Sequence, residues 1–110
     1  MITTHVLDTT RGGPAAGVAV LLEMRTGGNW VAIARGRTDD RGRLTSLTDD
    51  VAVSTGTYRL TFDVSAYQRD NGAASFFPEV QVVFDVANRT EHYHVPLLLS
   101  PFGYSTYRGT

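Results

Sequence analysis

The sequence predicts an all-β domain, an antiparallel two-sheet sandwich of about eight strands with one short helix. Apolar and polar residues alternate with a period of two through most of the apolar segments. β-Branched and aromatic residues fill these segments, and Gly, Pro and Asp turns separate them at a spacing of roughly 8 to 12 residues. A length of 110 residues suits one domain, and 42% hydrophobic with 19% charged residues is the composition of a folded globular chain.

Each predicted strand is a short alternating run that ends at a turn. In chain order these strands cover residues 2–8, 18–24, 30–37, 44–47, 58–62, 80–86, 91–99 and 105–108. Gly27-Gly28-Asn29 is a hairpin signal. Ser65 is predicted to cap a helix over residues 66–71, which Gly72 ends as the C′ residue. Pro96 should lie on an edge or at a bulge, because proline cannot donate to a strand ladder.

Charge and composition exclude several classes of partner. Ten arginines, no lysine and eleven acidic residues give a net charge of -1, so nucleic acid is not an expected partner. With no cysteine there is no disulfide framework, thiol nucleophile or cysteine zinc site. The start lacks a basic segment followed by an apolar one, and no long apolar run occurs, so we expect a cytoplasmic protein without a membrane partner.

Two of the three histidines lie in one predicted strand, and strand periodicity fixes which way they face. Tyr93 and Val95 belong to the better core face of that strand, so His92 and His94 point to the opposite side. By the same rule His5 faces away from the core in the first strand. Two predicted strands therefore each present an outward histidine.

These residues also have simpler interpretations. His92 is expected to be a solvated residue at the strand end, and Arg43 can be a solvated turn cation. The His-x-His pair with His5 could form a zinc site of three imidazoles, although the sequence places no acidic partner beside it. No nucleophile elbow, phosphate-binding glycine loop or Ser-His-Asp arrangement is present. The aromatic, hydroxyl-rich tail over residues 104–110 is expected to be tied down.

Several segments together resemble the 5-hydroxyisourate hydrolase branch of the transthyretin-like family. They are Thr4-His5-Val6-Leu7-Asp8, Gly13-Pro14-Ala15, Gly42-Arg43, Phe77-Pro78-Glu79, and the ending from His92-Tyr93-His94-Val95-Pro96 through Tyr107-Arg108-Gly109-Thr110. The resemblance runs from residue 2 to the last residue and implies a single domain over 1–110. It also implies a homotetramer whose active sites lie at the dimer–dimer interface.

The resemblance assigns site residues position by position. It implies that His5, Arg43 and His94 are catalytic and that Tyr107, Arg108, Gly109 and Thr110 form the signature tetrapeptide that binds substrate. The non-catalytic hormone carriers of the same fold have Lys, Glu and Thr at the three catalytic positions. This chain departs from the enzymes at Thr110, where Ser is usual, and at the Asp40-Arg41-Gly42 turn, which leaves the aim of Arg43 open.

The reaction that the resemblance implies is hydrolysis of the cyclic amide of 5-hydroxyisourate, without a metal or cofactor. With no nucleophile motif, the simplest chemistry is attack by water, with a neutral histidine as general base. An arginine can hold the substrate oxygens and stabilise the developing oxyanion, a role that fits Arg43. The sequence leaves open whether His5 or His94 is the base. The alternative function is that of a non-catalytic small-ligand carrier.

Overall fold

The computed structural model describes residues 1–110 and contains nine strands and one helix. The strands are β1 (Ile2–Asp8), β2 (Gly13–Pro14), β3 (Ala19–Thr26), β4 (Asn29–Arg37), β5 (Arg43–Leu44), β6 (Gly56–Phe62), β7 (Val80–Val86), β8 (Tyr93–Ser100) and β9 (Gly103–Thr106). The helix, α1, covers Val64–Asp70. It is short, and the chain has no helix with the length and apolar character needed to cross a bilayer.

The strands form two sheets, which confirms the predicted sandwich. One sheet has the order β2-β1-β8-β9, with β5 also paired to β1, and the other has the order β4-β3-β6-β7. One pairing departs from the antiparallel prediction, because β1 and β8 run parallel. Parallel neighbours need a long connection. Here the whole second sheet is built from the chain between β1 and β8, so the sheet that contains them is mixed.

The core lies between the two sheets and uses the inward faces that the alternation predicted. Its 19 buried apolar residues are Ile2, Val6, Ala15, Val18, Val20, Leu22, Leu44, Leu47, Tyr58, Leu60, Phe62, Val64, Tyr67, Val80, Val86, Tyr93, Val95, Leu97 and Leu99. Burial of this apolar surface is the main favourable term in folding. Because the odd-numbered residues of β8 fill the core, its even-numbered residues are left for the outer face of the sheet.

The predicted short strands differ from the observed ones. Instead of 44–47, β5 covers only Arg43–Leu44, because a turn closed by the Asp49 N–H and the Ser46 carbonyl follows at once. The last strand is Gly103–Thr106 rather than 105–108. A further two-residue strand, β2, lies in the stretch that the sequence assigned to turns.

Pro96 explains where the last pairing stops. It lies in β8 between β1 and β9, not on an edge. The β8–β9 ladder ends at the pair Leu97 and Thr106, and the same register resumes only at the isolated bridge between His94 and Gly109. Proline offers no N–H, and its carbonyl instead accepts a hydrogen bond of 2.7 Å from the Thr106 hydroxyl. A gap in the β8–β9 ladder therefore allows proline, which cannot donate a hydrogen bond, to lie inside the sheet.

The N-cap of the helix lies two positions earlier than predicted, and the helix ends before the predicted C′ glycine. Asp63, not Ser65, is the N-cap, and its carboxylate accepts from the Ala66 N–H. Asp and Ser are comparable caps, so the sequence alone could not choose between them. At the other end the Gly72 and Ala73 N–H groups donate to earlier carbonyls in a Schellman arrangement, with Gly72 at C′ and a positive φ of 69°.

The turn before β5 depends on Asp39 and Gly42. The Asp39 carboxylate accepts from the N–H groups of Arg41 and Arg43, each at 2.9 Å. These two hydrogen bonds lower the pKa of Asp39, and the bond from Arg43 has the larger effect. Gly42 has a φ of +74°, and its carbonyl accepts from the Val6 N–H. A Cβ at this glycine would lie 2.4 Å from the Val6 carbonyl oxygen, so the chain can turn against β1 here only with glycine.

We expect Gly42→Ala to lower the free energy of unfolding by more than about 2 kcal/mol, since a strained φ and a backbone clash add. Gly12→Ala is the matched control: Gly12 also has a positive φ, of 68°, but open space around it. Its cost should stay near roughly 1 kcal/mol. Urea denaturation measures both values, and equal losses would show that the contact with β1 contributes nothing.

Candidate active site

Strand β1 lies between β5 and β8, and this arrangement brings together the three residues proposed for catalysis from the sequence. His5 is directly opposite Arg43 in the β1–β5 pair, and Thr3 is directly opposite His94 in the β1–β8 pair. Residues opposite each other share a face, and diagonal neighbours lie roughly 7 to 8 Å apart. His5, Arg43 and His94 therefore share the outer face of one sheet, with His5 on the central strand β1 as the neighbour of both others.

His94 is half-buried and held by one ring nitrogen. Its Nδ1 lies 2.8 Å from the Thr3 hydroxyl oxygen, and its Nε2 has no hydrogen-bond partner within the chain. Burial lowers the pKa of His94 below its usual value, because desolvation disfavours the charged ring. Positive charge at His92, Arg43 and His5 lowers it further. The imidazole is thus kept neutral at neutral pH, the form that can accept a proton.

His5 is held in a different way. Its Nε2 lies 2.9 Å from the Arg41 carbonyl oxygen. A carbonyl can only accept, so Nε2 carries the proton and, in the neutral ring, the lone pair is on Nδ1. The same turn that positions Arg43 therefore also fixes the tautomer of His5.

Arg43 is fixed through its backbone and free at its side chain. Its N–H donates to the Asp39 carboxylate, and Leu44, the next residue, enters the core. The exposed guanidinium of Arg43 makes no hydrogen bond or ion pair within the chain. A planar fork of donors in this state suits the oxygens of a planar ligand.

The tail passes over His94 at Gly109. The Gly109 N–H donates to the His94 carbonyl at 2.7 Å, and a Cβ at residue 109 would lie 2.6 Å from the His94 ring. Any larger residue would displace that ring. This contact explains why residue 109 of the tail tetrapeptide is glycine. It also confirms that the tail is tied down.

The other tail residues do not gather around His94. The Arg108 guanidinium stacks on the Tyr93 ring, 4.6 Å from its centroid, and pairs with Glu91 at 3.4 Å. Tyr93 faces the core, so Arg108 lies on the side of the sheet opposite His94. Tyr107 and Arg108 line an apolar cleft there with Val82 and Phe84. Thr110 is exposed.

Two contacts at this site were not predicted from the sequence. His92 is exposed, as expected, yet its Nε2 lies 2.6 Å from the Thr3 hydroxyl. Thr3 is only 2% exposed and joins the two histidines through one oxygen. The sequence does indicate that Thr3 lies on the same strand face as His5, because the two residues are two positions apart. Its partner could not be found, because the sequence does not show that β1 pairs with β8.

The geometry does not support the three-imidazole zinc site. No group of three or more histidine, aspartate or glutamate side chains lies close enough together to hold a metal ion. One ring nitrogen of each histidine is already engaged by oxygen, at Arg41 for His5 and at Thr3 for His92 and His94. The site is therefore a cluster of three imidazoles, each with one ring nitrogen engaged, and one guanidinium.

Comparison with known sequences finds relatives over nearly the whole chain. A 5-hydroxyisourate hydrolase of Salmonella dublin is 43% identical over 110 residues, which cover 100% of this chain and 81% of the relative. The 5-hydroxyisourate hydrolase of Mus musculus is 41% identical over 111 residues, covering 99% of this chain and 94% of the relative.

Solved structures show the same fold. The 5-hydroxyisourate hydrolase of Klebsiella pneumoniae has a TM-score of 0.87 at 33% identity and covers 99% of this chain and 98% of its own. Sea bream transthyretin in complex with thyroxine has a TM-score of 0.93 at 36% identity, with 99% and 94% covered. The sequence profile described as the HIUase/Transthyretin family matches residues 2–109. The chain therefore belongs to the HIUase/Transthyretin family.

Proposed function

We propose that this protein hydrolyses the cyclic amide of 5-hydroxyisourate to 2-oxo-4-hydroxy-4-carboxy-5-ureidoimidazoline, a step of urate degradation. The observation that carries the proposal is the convergence of His5, Arg43 and His94 on one sheet face around β1. Relatives of this chain at 41% and 43% identity are named 5-hydroxyisourate hydrolase, which supports the same substrate.

His94 is the proposed general base. It must be neutral to take a proton from water, and burial with nearby positive charge lowers its pKa in that direction. Its Nε2 is free of partners within the chain, whereas Nδ1 is engaged by Thr3. Water attacks the amide carbonyl as its proton passes to Nε2, and the ring later returns that proton to the leaving nitrogen.

Arg43 is the proposed oxyanion partner. Its guanidinium is charged at every working pH and forms no ion pair within the chain. It can hold the substrate oxygens and stabilise the negative charge that develops at the attacked carbonyl. His5, fixed by the Arg41 carbonyl, offers Nδ1 to orient the substrate or water from the neighbouring strand position.

The tail is proposed to close one side of the substrate site. Gly109 packs on the His94 ring and holds its orientation. Tyr107, Arg108 and Thr110 complete the proposed substrate-binding tetrapeptide, and of these Arg108 reaches its site only if it leaves Tyr93 and Glu91. An exposed ion pair of this kind is worth about 1 kcal/mol or less. An exposed cation–π contact adds about 0.5 to 1 kcal/mol, so the move costs about 2 kcal/mol or less.

Residues 1–110 are proposed to act as one cytoplasmic domain within a homotetramer that places the sites at the dimer–dimer interface. Leu7 and Leu98 are opposite each other in the β1–β8 pair, and both are half-buried. They share the outer face with His5 and His94. An apolar pair beside a polar site is a surface that a second copy can cover.

The rival function is that of a small-ligand carrier, favoured by the likeness to sea bream transthyretin in complex with thyroxine. Freshly generated 5-hydroxyisourate separates the two functions, because a carrier leaves its spontaneous decay unchanged. We expect clear acceleration by this protein, also after exhaustive chelation, and a loss of roughly 10²- to 10⁴-fold in turnover for His94→Asn. An unaccelerated decay would favour the carrier.

The dependence of kcat/KM on pH tests the assignment of the base. A general base works in its neutral form, so activity should persist above the pKa of His94 and fall as the pH drops through it. Because that pKa is lowered from 6.5, the midpoint of the acid limb should lie below pH 6.5. A midpoint above this value, or the same limb in His94→Asn, would assign the base to another group.

Sedimentation equilibrium tests the assembly. We expect four times the chain mass of 12.0 kDa for the wild-type protein. Leu98→Glu, which puts a charge into the proposed contact, should shift the population to smaller species. Val83→Glu is the control, since Val83 is 51% exposed on the outer face of the other sheet. A monomeric wild-type protein would contradict the proposed site at an interface.

A further inference from the structure

The Thr3 hydroxyl lies between two imidazoles. Its oxygen is 2.6 Å from His92 Nε2 and 2.8 Å from His94 Nδ1, and the ring centroids are 6.1 Å apart. Thr3 is 2% exposed and its hydroxyl has no third partner within the chain. Within the chain, the Thr3 hydroxyl therefore forms hydrogen bonds only with these two rings.

Counting protons restricts what the two rings can do. A hydroxyl has one proton to donate, and a ring nitrogen either donates its own proton or accepts one. If the Thr3 hydroxyl donates to His92, then His94 must donate from Nδ1, and the neutral His94 ring has its lone pair on Nε2. If Thr3 donates to His94 instead, the proton of the neutral His94 ring is on Nε2, which then cannot accept one.

The distances favour the first arrangement. Hydrogen bonds donated by a hydroxyl are typically shorter than those donated by a ring N–H. The shorter contact joins Thr3 to His92, and the longer one joins Thr3 to His94. In this arrangement Thr3 donates to His92 and accepts from the Nδ1–H of His94.

We propose that Thr3 and His92 are positioning residues that hold neutral His94 in the tautomer with its lone pair on Nε2. His92 accepts the Thr3 proton, so that Thr3 can only accept from His94. His92 need not touch the substrate for this role. The kinetic consequence rests on the proposed function, in which Nε2 of His94 takes the proton of water.

Nitrogen NMR of ¹⁵N-histidine-labelled protein reads the tautomers directly, and three histidines make the spectrum simple to assign. At a pH where all rings are neutral, His94 should be protonated at Nδ1 and unprotonated at Nε2. In Thr3→Val, which keeps the shape and removes the hydroxyl, this preference should be lost. We expect kcat to fall about 10-fold, equivalent to roughly 1.4 kcal/mol of lost hydrogen bonding, with little change in KM.

Three variants separate this role from a structural one. Thr3→Ser should restore the tautomer and kcat. Thr4→Val removes a neighbouring buried hydroxyl that bonds to the Val95 carbonyl on the core side, and it should change neither. His92→Leu, at an exposed position outside the strands, should turn the Thr3 proton toward His94 and move the ring proton to Nε2.

Two results would overturn the inference: a wild-type His94 with its proton on Nε2, or a Thr3→Val protein with unchanged ring signals and unchanged kcat. The spectra do not depend on catalysis. If wild-type protein failed to accelerate the decay of 5-hydroxyisourate, the proposed function would fail, while the tautomer of His94 would still be read in the wild-type protein and all four variants.

Discussion

The parallel pairing of β1 with β8 is the constraint on which the site depends. It joins the two ends of the chain in one sheet and sets Thr3 opposite His94. A shift of this register by one residue would turn every side chain of one strand to the other face. A shift of β1 would turn His5 into the core and Ile2 out of it, and a shift of β8 would do the same to His94 and Val95. The same register therefore determines both burial of the core and assembly of the site.

The site is built from groups that each have one fixed end and one free end. His5 is fixed at Nε2, His94 at Nδ1, and Arg43 at its backbone N–H. The remaining nitrogen atoms face outward without partners in the chain. In the proposed reaction, this division leaves the reacting atoms available while neighbouring backbone and hydroxyl groups hold their geometry, as preorganised catalysis requires.

Proline and glycine shape the approach of the tail. Pro96 interrupts the β8–β9 ladder, and the chain rejoins the same register only at Gly109, against the His94 ring. Arg108, in the gap, is free to stack on Tyr93 on the other side of the sheet. Adjacent tail residues therefore lie on opposite faces of the sheet, with Gly109 at the proposed catalytic histidine and Arg108 over the apolar cleft.

The sequence by itself determined the faces of the strands. Alternation with a period of two correctly turned Tyr93 and Val95 inward and His5 and His94 outward, because side chains of successive strand residues point to opposite sides. It also located most strands and the end of the helix. Only the tertiary structure decided which strands are neighbours: that β1 pairs in parallel with β8, that Thr3 joins His92 to His94, and that Arg108 turns away. The contacts between β1 and the His92–His94 segment join residues some 90 positions apart. Local patterns carry no information about pairing over that distance, since it is set by how the two faces pack as a whole.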